Sequence, residues 1–256
     1  GHWLALGLPA GTWIDWRYRP EDDALTTFTE RVRGVGGMAV TAHPFAPGPG
    51  STWGFDPTYA AMDAVEIWNG PWTLEDQVAV AAWHSLLVTG GYVPVIGNSD
   101  SHHEGQAVGL PQTVVRASSL STPAVLRGLR GGHSWIAESS AVDLTLEASL
   151  GDRTAGCGDA LDAGPTDLVD VRLSVTGAPG CLAQVLGPVA PLAGATTDSD
   201  GAAEVSVQVP AALAPFVRAE VRRLDGAPVV NPLEGVPGLA MVAMTNPVFL
   251  GSAPGS

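Results

Sequence analysis

PVIGNSDSHHEG, residues 94 to 105, sets an aspartate and two histidines directly after a short apolar run. Val93, Val95 and Ile96 read as a buried strand, and Gly97, Asn98 and Ser99 mark where it stops. Asp100 and His102 are therefore expected at the carboxyl end of that strand. Two positions apart in extended chain, their side chains face the same way.

Outward from this stretch, residues 1 to about 140 alternate short apolar strands with helix-like segments. HWLALGL, GMAVTAHP, DAVEIWNG and VPVIGNSDSHH read as strands, and LEDQVAVAAWHSLLVTGG as a helix between two of them. Strand and helix in alternation predict a parallel sheet or barrel with helical crossovers. Ligand sites in such folds gather where the strands end. From about 141 the pattern changes to period two, as in VDLTLEASL, VDVRLSVTG and AAEVSVQVP, with turns such as DSDG between. That patterning predicts an all-β sandwich. The expected organisation is thus an α/β unit over 1–140 followed by a β-sandwich domain over 141–256.

All 12 basic residues are arginine, set against 26 acidic ones, for a net charge of -14. So acidic a chain repels polyanions, which argues against nucleic acid as a partner. No apolar run reaches the roughly 20 residues of a membrane span, so none is expected. Cys157 and Cys181 both lie next to glycine in turn-like contexts, and a disulfide between them is expected, with two unpaired buried thiols as the alternative. A bridge would place the chain outside the cytoplasm or in the secreted fraction; without it a cytoplasmic location is equally open. The chain opens on glycine, in what reads as a strand already under way, and is expected to be a fragment or a processed product.

His2 stands at the front of the first strand, His43 ends MAVTAH, and Asp100 and His102 end the strand at 95–96. Three strand ends thus present imidazole and carboxylate groups to one rim, the donor set of a divalent metal site. Each residue also has a plainer role open to it. His43 can be a buried histidine bonded to a carbonyl, and Asp100 can cap a turn. His103 should point away from His102 towards solvent, and His84 and His133 look structural.

GHWLALGL, GMAVTAHPFAP, DAVEIWNGPW and VIGNSDSHHEGQAVGLPQTVV resemble successive motifs of the CehA/McbA-type metallohydrolases of the PHP (polymerase and histidinol phosphatase) superfamily. The ending FVRAEVRR to MVAMTNPVFL is similar to the β domain of longer members. The resemblance implies the C-terminal part of a distorted (β/α)7 PHP barrel followed by a β-sandwich. It implies two or three zinc, manganese or iron ions, with ligands carried over onto His2, His43, Asp100 and His102, and Asp100 and His102 acting in catalysis. The family's H-x-H pair, further aspartate, TDH-type histidine and glutamate have no counterpart in this sequence. The expectation is that the chain belongs to a longer enzyme or pairs with a separate N-terminal piece.

The activity expected is a phosphoesterase working through metal-activated water on a small-molecule substrate. Hydrolysis of carbamate or carboxylic esters is the alternative, and a non-catalytic scaffold bearing a β interaction module is a third reading. Arg17 and Arg19, in WIDWRYR, are the local cations for a substrate phosphate, or else partners of Asp15 and its acidic neighbours. His103 can protonate a leaving group if its loop bends inward. Glu66 and Asn69 are expected behind the ligands, holding an imidazole in one tautomer. Trp68 and Trp72 either wall the substrate pocket or pack in the core.

Overall fold

The computed structural model describes residues 1–15, 17–48, 50–224 and 240–251. Its first part comprises β1 (His2–Leu6), α1 (Leu25–Gly34), β2 (Met38–Ala42), β3 (Ala64–Asn69), α2 (Leu74–Val88) and β4 (Val95–Asn98), with the strands in the order β1-β2-β3-β4. β2, β3 and β4 run parallel, while β1 is antiparallel to β2 and sets His2 opposite Ala42. Every residue of β2 is buried, as a parallel strand covered on both faces requires. Ala39, Val65, Ile67 and Val95 face Trp83 and Leu87 of α2, whereas Met38, Val40, Ala64 and Ile96 share a second cluster with Leu126 and Leu129. α2 starts where Thr73 and Asp76 form a reciprocal cap, and the other oxygen of Asp76 accepts from the Asn69 amide at 2.9 Å. That bond ties the end of β3 to the start of the helix.

The chain continues through β5 (Gln112–Val115), α3 (Thr122–Arg130), β6 (Ser134–Ala137), β7 (Asp143–Leu150), β8 (Arg153–Gly156), β9 (Ala160–Leu161) and β10 (Leu168–Thr176). It ends with β11 (Cys181–Leu186), β12 (Pro191–Thr196), β13 (Ala203–Pro210), β14 (Phe216–Arg223), β15 (Met241–Thr245) and β16 (Val248–Leu250). One sheet has the order β13-β10-β7-β8; the other runs β12-β11-β14-β15-β6-β5, with β16 and β9 attached beside β14. Alternate residues of β7 and β10 are buried, and those of both sheets meet in one apolar core that includes Leu146, Val171, Leu173, Val185, Ala219 and Val221.

The expected (β/α)7 barrel is not formed. With sixteen strands and three α-helices described, the protein is mostly β. The parallel run stops at β4; β5 pairs antiparallel with β6, and β6 pairs antiparallel with β15. A strand–helix–strand pattern fixes the order of elements but not the direction of the second strand, and here α3 joins two antiparallel strands. Hydrogen bonding therefore does not stop at residue 140. Where a barrel would continue, the Thr113 hydroxyl accepts from the Gly97 amide (2.9 Å) and donates to the Gly97 carbonyl (2.7 Å). Gly97 must lack a side chain there, since a Cβ would lie 2.6 Å from Ile136.

Asn246, fully buried, joins the two parts. Its side chain accepts from the Val95 amide (2.9 Å) and donates to the Val95 carbonyl (3.0 Å) and the Ser134 hydroxyl (3.0 Å). A second junction is ionic. Glu220 accepts from Arg218 and from Arg222, each at 2.6 Å, and Arg222 reaches Gln77 of α2 at 2.9 Å. Arg218 donates to Nδ1 of His84 (3.1 Å), whose Nε2 donates to the Pro188 carbonyl (3.1 Å). Both ring nitrogens of His84 are committed, which requires the neutral imidazole. Among the described residues no helix is long and apolar enough to cross a membrane.

Candidate metal centre

Because β1 runs against β2, its amino end lies on the same rim as the carboxyl ends of β2, β3 and β4. His2 opens β1, His43 follows β2, Glu66 and Asn69 lie on β3, and Asp100 comes two residues after β4. Nδ1 of His2 and Nε2 of His43 are 3.2 Å apart, with the rings edge to face. The Asp100 carboxylate lies 4.0 Å from His43 Nε2 and 3.7 Å from His102 Nε2. All four expected ligands are thus drawn to one place.

Two of them hold unusual backbone. His43 has φ +28° and Asp100 φ +44°, a left-handed region that costs a residue with a side chain of order 1–3 kcal/mol. Local partners stabilise both. The His43 amide donates to Glu66 Oε2 at 2.7 Å, and the Asp100 amide donates to Asn98 Oδ1 at 3.1 Å. Asn69 donates to the second Glu66 oxygen at 3.2 Å. Glu66 does stand behind His43, but it grips the backbone and not the ring, and Asn69 holds Glu66 in turn. Nδ1 of His43 is buried with no partner, so nothing behind the ring fixes its tautomer.

Burial, then the neighbouring His43, lowers the pKa of His2. Two N–H groups could not face each other at 3.2 Å, so one of the two nitrogens donates and the other accepts through a lone pair. Burial pushes Glu66 up to about 7 and Asp76 up to about 6, against the hydrogen bonds each accepts.

The donor set suits a divalent cation. Two imidazole nitrogens at 2.0–2.1 Å from one tetrahedral ion are about 3.3 Å apart, close to the spacing of His2 and His43. Among the described residues no group of three or more His, Cys, Asp or Glu is closed to coordination distance. The gaps at Asp100 explain this: its carboxylate must approach the histidine pair by a side-chain rotation. Asp100 and His102 occupy an exposed loop that leaves room for it. Nδ1 of His102 lies 2.6 Å from the Asp100 carbonyl, which leaves its Nε2 facing the carboxylate.

Other expected residues lie elsewhere. Arg17 is paired with Asp15, with Nε at 2.9 Å and Nη2 at 3.0 Å, the plainer of the two roles expected for it. His103 is exposed and turns to the Glu104 carbonyl at 3.0 Å, with no contact to the cluster among the described residues. The expected bridge between Cys157 and Cys181 is not formed. Cys157 is a thiol beside Thr245, its pKa pushed up to about 12 by burial, and the Cys181 thiol donates to the Pro179 carbonyl at 3.4 Å. They belong to different sheets, Cys157 following β8 and Cys181 opening β11. The expected extracytoplasmic location loses its support with the bridge. Trp68 is buried and meets Trp72 edge to face at 5.2 Å, and both border a cavity beside Ser99 and Gln106.

Two residues of this region escaped the sequence reading. Gln106 accepts from the amides of both His102 (2.6 Å) and His103 (3.3 Å), holding the histidine loop. Asp76 lines a cavity of about 340 Å³ that opens beside His43. Its signal was legible: Thr73-Leu-Glu-Asp76 has the spacing of a helix-capping pair. No protein-family model, curated protein or solved structure matches this chain.

Proposed function

We propose that the rim formed by His2, His43, Asp100 and His102 binds a divalent cation and that the protein is a metal-dependent phosphoester hydrolase. The observation that carries this reading is the His2–His43 nitrogen pair, 3.2 Å apart, with a carboxylate 4.0 Å away. His2 Nδ1 and His43 Nε2 would hold the ion, Asp100 would supply the anionic ligand, and His102 would complete the set from its loop. A bound cation supplies Lewis acidity to water and to the phosphoryl group. Glu66 keeps His43 in its left-handed conformation, and Gln106 keeps His102 at the rim. The Asp100 carboxylate stands 3.7–4.0 Å from two imidazoles without closing on either, which leaves its oxygens open to a cation.

The test is metal content by mass spectrometry after equilibration with Zn²⁺ or Mn²⁺ and desalting, beside hydrolysis of p-nitrophenyl phosphoesters and carboxylic esters. Stoichiometric metal that is lost in His43→Ala, with turnover of a phosphoester, is the expected result. Retention of no metal removes the proposal. Metal without turnover of any ester leaves a binding scaffold in its place, and turnover of carboxylic esters alone reassigns the substrate.

A further inference from the structure

Resting on that reading, we infer that the cavity beside His43 selects substrates whose non-leaving arm is apolar and uncharged, so that the substrate is a phosphodiester and not a phosphomonoester. The cavity holds about 340 Å³, room for one compact ring, and His43 forms part of its wall. Phe45, Pro47, Ile67 and Ala79 give it apolar sides, and Glu66, Glu75 and Asp76 are its charged or ionisable groups besides His43. Among the described residues lining it there is no arginine, and the chain has no lysine.

The start of α2 also borders this cavity, and a helix start ordinarily favours an anion. Here the position is already filled by the chain's own carboxylate. Asp76 Oδ2 accepts from the Thr73 amide (2.7 Å) and hydroxyl (2.9 Å), and Glu75 adds a second acid to the same turn. The expected substrate cation, Arg17, is bound to Asp15. A monoester dianion would meet the metal with no arginine among the described lining residues to share its charge, beside carboxyl groups that repel it. A diester carries one charge, and its second ester group is a neutral arm that can enter the apolar cavity. In the reaction the oxygen of water bonds to phosphorus and the P–O bond to the leaving alcohol breaks. The alcohol departs with a proton, and a phosphomonoester remains. That product carries more negative charge than the substrate, so the same acidic wall that excludes monoesters expels it.

The experiment compares kcat/KM for p-nitrophenyl phenyl phosphate, the same diester with a carboxylate on the phenyl arm, and p-nitrophenyl phosphate, using the metal-loaded protein. The diester with the neutral arm should exceed each of the others by roughly tenfold or more, the equivalent of about 1.4 kcal/mol. Glu75→Arg, on the half-buried first turn of α2, should narrow the gap between the two diesters by a similar factor, and Glu75→Gln should narrow it part-way. Melting curves of both variants exclude misfolding as the cause. A preference for the monoester, or a gap between diesters that neither variant changes, overturns the inference and leaves the hydrolase reading standing. Hydrolysis of none of the three overturns both.

Discussion

The rim cluster and the junction under α2 are made from the same kinds of side chain, yet they end in opposite states. At the junction Glu220 lies between Arg218 and Arg222, both arginines sit over tryptophan rings at 5.6 Å, and His84 has a partner on each nitrogen. At the rim the Asp100 carboxylate stands at 3.7–4.0 Å from two imidazoles without closing on either, and Nδ1 of His43, behind the ring, has no hydrogen-bond partner among the described residues. A buried network that satisfies every member holds elements together. Under the proposed function, the convergent set at the rim, left open on strained backbone, is a ligand site. The two clusters differ in the state of their hydrogen bonds and not in their composition.

The sharpest way to break this contrast is to remove the centre of each cluster. Glu220→Ala leaves two guanidinium groups buried without a counter-charge and should cost about 3–5 kcal/mol in a urea titration. Its metal content, measured in the folded fraction, should not change. Asp100→Gly should do the reverse. Metal affinity falls by roughly a hundredfold or more by competition titration. Stability stays within about 1 kcal/mol of the parent, because glycine accepts the φ of +44° without strain. If Asp100→Gly unfolds the protein while Glu220→Ala is silent, the two assignments are interchanged.

Acidity gives a finer separation. Burial and then Arg218 lower the pKa of His84, so the folded state takes up its proton later than the unfolded chain does. His84 therefore destabilises the fold as the pH falls below its ordinary value of 6.5, until the folded form also titrates. His84→Gln can accept from Arg218 and donate to Pro188 without titrating, and should flatten the melting profile in that range. An unchanged profile shows that other groups set it. The smallest effect is expected at Arg17→Ala, which removes an exposed pair with Asp15. Neither melting temperature nor kcat/KM should move measurably, and a rise in KM would return Arg17 to the substrate site.

How much of this was legible in the sequence follows from what each signal encodes. The rim residues could be read because strand ends are local events, marked by Gly97, Asn98 and Ser99 or by Pro44 after His43. The barrel could not, since the direction in which β6 returns beside β5 depends on β15, more than a hundred residues later. The cysteine pair failed for a related reason: both lie near strand ends, but nothing in their spacing says that β8 and β11 enter different sheets. Arg17 was readable in its plainer form, its partner being two residues away. The bond from Glu66 to the backbone of His43 was hidden, because it depends on a non-glycine residue adopting a left-handed conformation.

Asn246 carries one more consequence. By matching both backbone groups of Val95, its amide acts as a surrogate strand beside β4, the element that leads to Asp100 and His102. On the ribosome, the floor beneath those two residues stays unfinished until nearly the whole of this sequence has been translated. A nascent chain halted before position 246 would carry every proposed ligand and still be unable to hold them in register.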